Sequence, residues 1–344
     1  MMTTAAPLPR PTDLVQYGLS DGFSSEPHAN SAFGPDISRD MPYSVTRRLE
    51  VTRQSLRRVL IPALLSAMIP VVAAAQAPPP GEPAQPPSLQ RVVRWQLGGS
   101  VNEPGLQNTL EVSWSRPLSR SSHPLLADAH LSAGLVSVTT PAQARLGGWI
   151  ECSPLSILDI RAGIEPSVYF GTFNSVLSFA AYSDPYDRAT REARDDQTSA
   201  TGSRAYVAPA LKLKAGRLVA RIGAEFERWS SSAKGPLFYE PTRDTLLKTG
   251  GDYLMTLTTV VMYQHDYQSA GLLSGGIIHE MTHVFDAPAN RSQRLGLIGI
   301  REFGSPRVLL PHFRVTAVVW RHLEDPSKRN QWGGVLAIGF RTGK

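Results

Sequence analysis

From residue 91 onward the side chains alternate with a period of two, and the alternation is sustained over unusually long segments. In Ile157–Glu165, Leu158, Ile160, Ala162 and Ile164 alternate with Asp159, Arg161, Gly163 and Glu165. In Arg217–Glu227, Leu218, Ala220, Ile222, Ala224 and Phe226 take one face while Arg221, Glu225 and Glu227 take the other. Leu211 and Leu213 alternate with Lys212 and Lys214 across Ala210–Lys214, and Leu110, Val112 and Trp114 oppose Glu111 across Leu110–Ser115. Successive residues of a strand point to opposite faces, so each segment predicts a strand with one apolar and one polar face. Looser segments of the same kind cover 91–101, 130–140, 143–152, 252–264, 270–284, 292–303, 309–322 and 331–341. That makes twelve candidate strands, most of 9–14 residues. Soluble strands average about five or six residues, whereas a tilted strand crossing a bilayer needs about 9–11.

The links alternate in length as well. Ser153–Ser156 and Ala215-Gly216 are tight, while 172–202 and 230–251 are long and polar. Links 265–269 and 304–308 are short, 285–291 is intermediate and 323–330 is polar. Short turns at one end and long loops at the other are expected of a transmembrane barrel, and an even strand number places both chain ends on the periplasmic side. The 118–129 link is the misfit, long where a short turn is expected. Trp95, Trp149, Tyr169, Phe170, Tyr206, Trp229, Tyr253, Tyr263, Trp320 and Trp332 fall near predicted strand ends, where interfacial girdles form. The predicted fold is all-β: a single antiparallel transmembrane β-barrel of about twelve strands (10–14) over 91–344.

The N-terminal quarter has a different character. The chain carries a net charge of +6, divided as −3 over residues 1–40, +4 over 41–75 and +5 over 76–344. Residues 41–75 read as a signal peptide: a start at Met41, then Arg47, Arg48, Arg53, Arg57 and Arg58, an apolar stretch from Val59 to Val72, and Ala73-Ala74-Ala75 as a cleavage site. Pro62 and Pro70 disfavour a permanent transmembrane helix. Residues 1–40 are polar and aperiodic, expected either to be disordered or to lie upstream of the true start. Residues 76–90 form a Pro-rich linker. A single cysteine, Cys152, excludes an intramolecular disulfide and any multi-cysteine metal site.

An internal leader, a Pro-rich spacer, alternating long strands and a final strand Trp332–Arg341 together resemble a Gram-negative outer-membrane β-barrel protein over residues 91–344. The resemblance is to the class and not to one family. It implies residence in the outer membrane after export, with the lipid bilayer and the barrel-assembly machinery as partners. Such proteins often end on an aromatic residue, whereas here Phe340 is followed by Arg341-Thr342-Gly343-Lys344.

The polar faces supply the candidate functional residues. Glu111, Asp159, Arg161, Glu165, Lys212, Lys214, Arg221, Glu225 and Glu227 are expected to line a lumen of mixed charge. In an open barrel they would tune the passage of small solutes, and in a closed one they would form an ion-paired core. This pattern favours a porin-like or structural barrel, without a cofactor, over an enzyme. The alternative is a secreted metalloprotease. His279-Glu280-Met281-Thr282-His283 has the zincin spacing, which on a helix would let His279 and His283 bind zinc while Glu280 activates water. Ser274-Gly275-Gly276 begins such a helix poorly, and on a strand Glu280 would face away from both histidines. A lipid-modifying barrel enzyme is a further alternative, but the histidines show no distinctive motif with a serine. Basic residues are interleaved with acids, so nucleic acid is not an expected partner. The charged link 183–196 reads as a solvated loop without EF-hand spacing.

Overall fold

The computed structural model describes residues 89–102, 105–121, 123–173, 176–267, 271–303 and 312–342. The predicted leader, the 1–40 segment and all but the end of the spacer lie outside them. The strands are β1 (Gln90–Val101), β2 (Gly105–Pro117), β3 (His130–Thr139), β4 (Gln143–Leu155), β5 (Leu158–Tyr169), β6 (Ser178–Phe179), β7 (Ala200–Ala215), β8 (Leu218–Ser231), β9 (Leu237–Glu240), β10 (Thr245–Lys248), β11 (Asp252–Asp266), β12 (Leu272–Val284), β13 (Ala287–Phe303), β14 (Phe313–Glu324) and β15 (Trp332–Thr342), with a short helix α1 (Arg188–Glu192) between β6 and β7. Twelve of them close a barrel in the order β1-β15-β14-β13-β12-β11-β8-β7-β5-β4-β3-β2, and β6, β9 and β10 form a separate three-stranded sheet. The barrel closes by antiparallel pairing of β1 with β15, from Val93 opposite Thr342 to Val101 opposite Gly334. Closure leaves no sheet edge, the condition under which strands tolerate an apolar solvent.

Several boundaries differ from the predicted ones. Strand β7 starts at Ala200 rather than near 210, because its outward Thr201, Ser203 and Ala205 are small or polar and give no contrast with inward Arg204 and Tyr206. Strand β2 likewise extends to both sides of 110–115. Strand β13 begins at Ala287, and register shifts at His283/Val284 and Gln293/Arg294 break its period. The long 118–129 link stands at the same end of the barrel as the tight turns. It closes on itself through Leu118 N–H to the Ala129 carbonyl at 2.8 Å and docks on the β4–β5 turn, where Ser156 Oγ donates to the Pro124 carbonyl at 2.8 Å.

The two faces are inverted relative to a water-soluble protein. On the outer wall Leu297 is 68% exposed, Leu146 64% and Ile150 62%, while inside Glu165 and Glu227 are 2% exposed and Arg204 1%. Water-soluble chains bury the first kind of residue and expose the second. A continuous accessible apolar wall is stable only against apolar surroundings.

The aromatic residues divide between the faces. Trp95 and Phe340 stack outside at 5.5 Å, and Tyr253, Tyr263 and Trp332 are exposed. Trp149, Tyr169, Tyr206, Trp229 and Trp320 are instead buried inside, contrary to the expected girdle. Three of these rings lie on a glycine of the paired strand: Trp149 opposite Gly134, Tyr206 opposite Gly163 and Trp320 opposite Gly333. A Cβ at those glycines would stand 2.6, 2.7 and 2.6 Å from the ring atoms. Over the same rings sit guanidinium groups, Arg161 at 3.7 Å from Trp149, Arg204 at 4.3 Å from Tyr206 and Arg294 at 4.7 Å from Trp320. Absent side chains thus create seats for rings that support the inward arginines by cation–π contact. Gly134→Val should therefore displace Trp149 and lower stability by about 1–3 kcal/mol, the usual range for overpacking. Urea titration of the folded barrel checks this. Gly275→Ala, where a Cβ meets open space, should leave the midpoint in place.

Candidate functional site

The inner faces of β2, β4, β5, β7 and β8 gather the acids and bases into one ion-paired core. Glu111 accepts from Arg94 at 2.7 Å and from Arg161 at 2.8 Å. Asp159 accepts from Lys212 and from the Ser153 hydroxyl, at 2.8 and 2.6 Å. Arg204 joins three acids at once. It donates to Glu165 at 3.0 Å, to Glu227 at 2.6 Å and also to Glu225. Arg221 is buried on the inner face of β8, whereas Lys214 is exposed near the end of β7. The period-two face thus buries seven of the nine predicted lumen residues, with Lys212 half-buried beside Asp159 and Lys214 exposed at the rim.

What the sequence reading missed is a second layer supplied by the loops. In the link between β8 and β11, strands β9 and β10 form a hairpin whose tip enters the lumen. At the tip Arg243 donates from Nε to Glu227 at 2.9 Å and from Nη2 to Glu225 at 2.8 Å, with a further bond to Glu227. Trp229 Nε1 completes the Glu227 shell at 2.6 Å. Thr242 Oγ1 accepts from Gln143 at 2.5 Å and from Arg145 at 3.3 Å. Burial pushes the Glu240 carboxyl above its usual range, against the opposing pull of Arg145 and Arg243.

The hairpin is held from its other side too. Asp244 pairs with Lys328 of the β14–β15 loop and accepts from Tyr239 Oη at 2.7 Å. Arg191 of α1 lies 3.7 Å from Asp244 and stacks at 4.1 Å on the Tyr239 ring. The 183–196 link is therefore not wholly solvated, since Arg191 is among the most deeply buried residues. In the β14–β15 loop, burial would raise the Asp325 carboxyl. The His322 ring, with Nδ1 3.6 Å away, the hydrogen bond from the Ser327 N–H at 2.8 Å and the nearby Lys328 outweigh it and hold the group at about 2.

The other half of the interior is mixed: an apolar cluster lies beside buried Thr256, Thr258, Glu280, Thr282 and His322. Val260, Met262, Ile278, Ile298, Ile300, Val318, Val335 and Ala337, on the inner faces of β11 to β15, form one buried cluster with Trp320. A water column beside these residues would leave them wet. Between the hairpin tip and this wall lies a cavity of about 40 Å³, lined by Thr242, Glu280, Arg294, Trp320 and His322 among others. It has room for a few water molecules at most.

The zincin alternative fails on geometry. Residues 272–284 are the strand β12, not a helix. Glu280 points inward, buried, and pairs with Arg294 at 2.7 Å. His279 and His283 stand on the outer wall, where His279 Nε2 contacts Gln293 at 2.7 Å. The motif is split across the sheet, so no carboxylate faces a site between the histidines. Ser153 and His130 approach to 3.4 Å, but the serine is fully buried and its proton is engaged with Asp159. That pair does not supply a lipid-facing nucleophile.

No protein-family model matches the chain. No curated protein matches it either. Among solved structures it is similar to the beta domain of the Bordetella autotransporter BrkA, with 11% identity, 74% of this chain and 99% of that chain covered, and a TM-score of 0.39. It is similar to the NanC porin with 10% identity, coverage of 73% and 99%, and a TM-score of 0.36. The translocator domain of the autotransporter NalP from Neisseria meningitidis matches with 9% identity, coverage of 86% and 98%, and a TM-score of 0.34.

Proposed function

We propose that this chain is an exported outer-membrane β-barrel protein whose lumen is closed at rest, a plugged structural barrel rather than a constitutive porin. The observation that carries the reading is the seating of Arg243 on Glu225 and Glu227, with an apolar cluster among the inward residues of the facing wall. One side of the lumen is occupied by ion pairs, and the other by an apolar cluster together with inward threonines and the Glu280–Arg294 pair. An accessible apolar outer wall supports residence in a bilayer. In this reading the leader directs export, the barrel-assembly machinery inserts the strands, and the end opposite the chain termini, with its longer loops, faces outward. No cofactor is required.

Planar-bilayer recording tests the proposal. The folded protein should insert, run as a heat-modifiable band on gels, and show no steady unitary conductance. Stable open steps from the wild-type protein would overturn the closed-barrel reading and favour a porin-like channel.

A further inference from the structure

The histidines of the split motif mark a second feature on the outer wall. At the end of the barrel away from both chain termini, the outward faces of β8, β12, β13 and β14 carry Arg228, His279, His283, Arg291 and Arg321. They are spread over neighbouring strands of one side of the wall, and only His283 and Arg291 face each other directly. Arg228 opposes Tyr253, His283 opposes Arg291, and Arg321 opposes Trp332 with its guanidinium 6.0 Å from the ring. One acid shares the stretch, Glu324, 3.2 Å from Arg291. Asp286 in the nearby turn is taken by Lys248 at 2.8 Å.

The rest of the circumference differs. At the same end, the described outward residues of β1 to β5 and β7 include Leu106, Asn108, Thr139, Ala144, Val168 and Thr201, with no cation among them. Here one side of the wall is cationic and flanked by exposed Tyr253 and Trp332, the ring types that settle at a headgroup boundary. Arginine on a lipid-facing wall is costly at the bilayer midplane and nearly free at the interface, where its long stem lets the head reach polar groups.

From this asymmetry we infer that the outer wall of β8 to β14 binds the phosphate groups of an anionic lipid, a phosphorylated glycolipid headgroup in the leaflet on the loop side. The inference rests on the membrane-barrel reading above. Guanidinium groups pair with phosphate oxygens through two parallel hydrogen bonds, and outward histidines supply further donors. A second copy of this chain fits poorly: a twofold contact would bring the arginines against one another with only Glu324 to offset them.

The experiment uses the full folded barrel in detergent and reads lipid adducts by native mass spectrometry. Bisphosphorylated lipid A, the same lipid with its phosphates removed, and free inorganic phosphate are the probes. Wild type should retain the phosphorylated lipid and discriminate against the other two. R228Q/R291Q/R321Q should weaken that binding roughly tenfold or more. R91Q/R116Q/R120Q, exposed arginines at the opposite end, should bind as wild type does. Equal binding of phosphorylated and dephosphorylated lipid overturns the inference, as does an unchanged R228Q/R291Q/R321Q variant. A wild-type dimer lost in that variant overturns it in favour of an interface between copies. Heat-modifiable migration of the same samples separates the two readings. If the barrel does not form, the membrane reading itself has failed; if it forms without discrimination, only the lipid site has.

Discussion

Arg204→Ala should destabilise the folded barrel by about 3–5 kcal/mol, the usual cost of removing one partner from a buried ion network. Arg204 is 1% exposed and serves Glu165, Glu225 and Glu227 together. Its loss leaves Arg145 near Glu165 and Arg243 on the other two, so three carboxylates share two cations in a dry interior. It also uncovers the Tyr206 ring, which lies flat on Gly163. Urea unfolding followed by the heat-modifiable band should show a clear fall in midpoint. Arg204→Lys should recover only part of the loss, because one ammonium cannot reproduce a guanidinium fork that reaches three acids and stacks on a ring. An Arg204→Ala midpoint equal to wild type would mean that the network contributes nothing to folding.

The wall of this site was legible from the sequence because period-two alternation assigns every residue of a strand to one face. Asp159, Arg161 and Glu165 on β5, and Arg221, Glu225 and Glu227 on β8, could be placed inside without any knowledge of neighbours. Closure of the barrel then supplied the pairing, which alternation alone does not specify: Arg204 meets Glu227 because β7 pairs β8, and Glu165 because β5 pairs β7. The first half of β7, which carries Arg204 itself, escaped notice since Thr201, Ser203 and Ala205 offer no apolar contrast. The plug escaped for another reason. Leu237–Glu240 and Thr245–Lys248 are short apolar runs flanking Pro241-Thr242-Arg243-Asp244, a recognisable hairpin pattern. Residues on both of its faces are buried, so no alternation marked it, and its charged tip resembled a solvated turn. The His279–His283 motif shows the opposite failure, a spacing that has meaning on a helix and loses it on a strand. Interior aromatics such as Trp149 and Trp320 read as girdle residues from sequence because the paired glycines that seat them lie on a different strand.

Arg243→Glu should expel the hairpin while leaving the barrel wall intact. In the folded protein Arg243 meets Glu225 and Glu227, both nine-tenths or more buried, and its own backbone N–H donates to Glu240 at 2.8 Å. Reversing the charge places a third carboxylate against two that cannot reach water, and breaking a buried pair of this kind costs about 3–5 kcal/mol. The docked population of the tip should then fall by a factor of roughly 10² to 10³ or more, since each 1.4 kcal/mol is tenfold. The tip is also held by Thr242 to Gln143 and by Asp244 to Lys328, so a partial outcome would show as slower release rather than none. Limited proteolysis reads the change directly. The 232–251 link should become cleavable in Arg243→Glu and stay resistant in wild type, while both proteins keep their heat-modifiable migration. A variant whose hairpin remains protected would show that the apolar sheet of β6, β9 and β10 docks the plug without the ion pairs. The same variant bears on the lumen. With the tip withdrawn, Glu225 and Glu227 lose Arg243 and retain Arg204, with Trp229 Nε1 still on Glu227, so any current that appears should favour cations. The aliphatic cluster on β11 to β15 stays in place, and it should keep such a pore narrow.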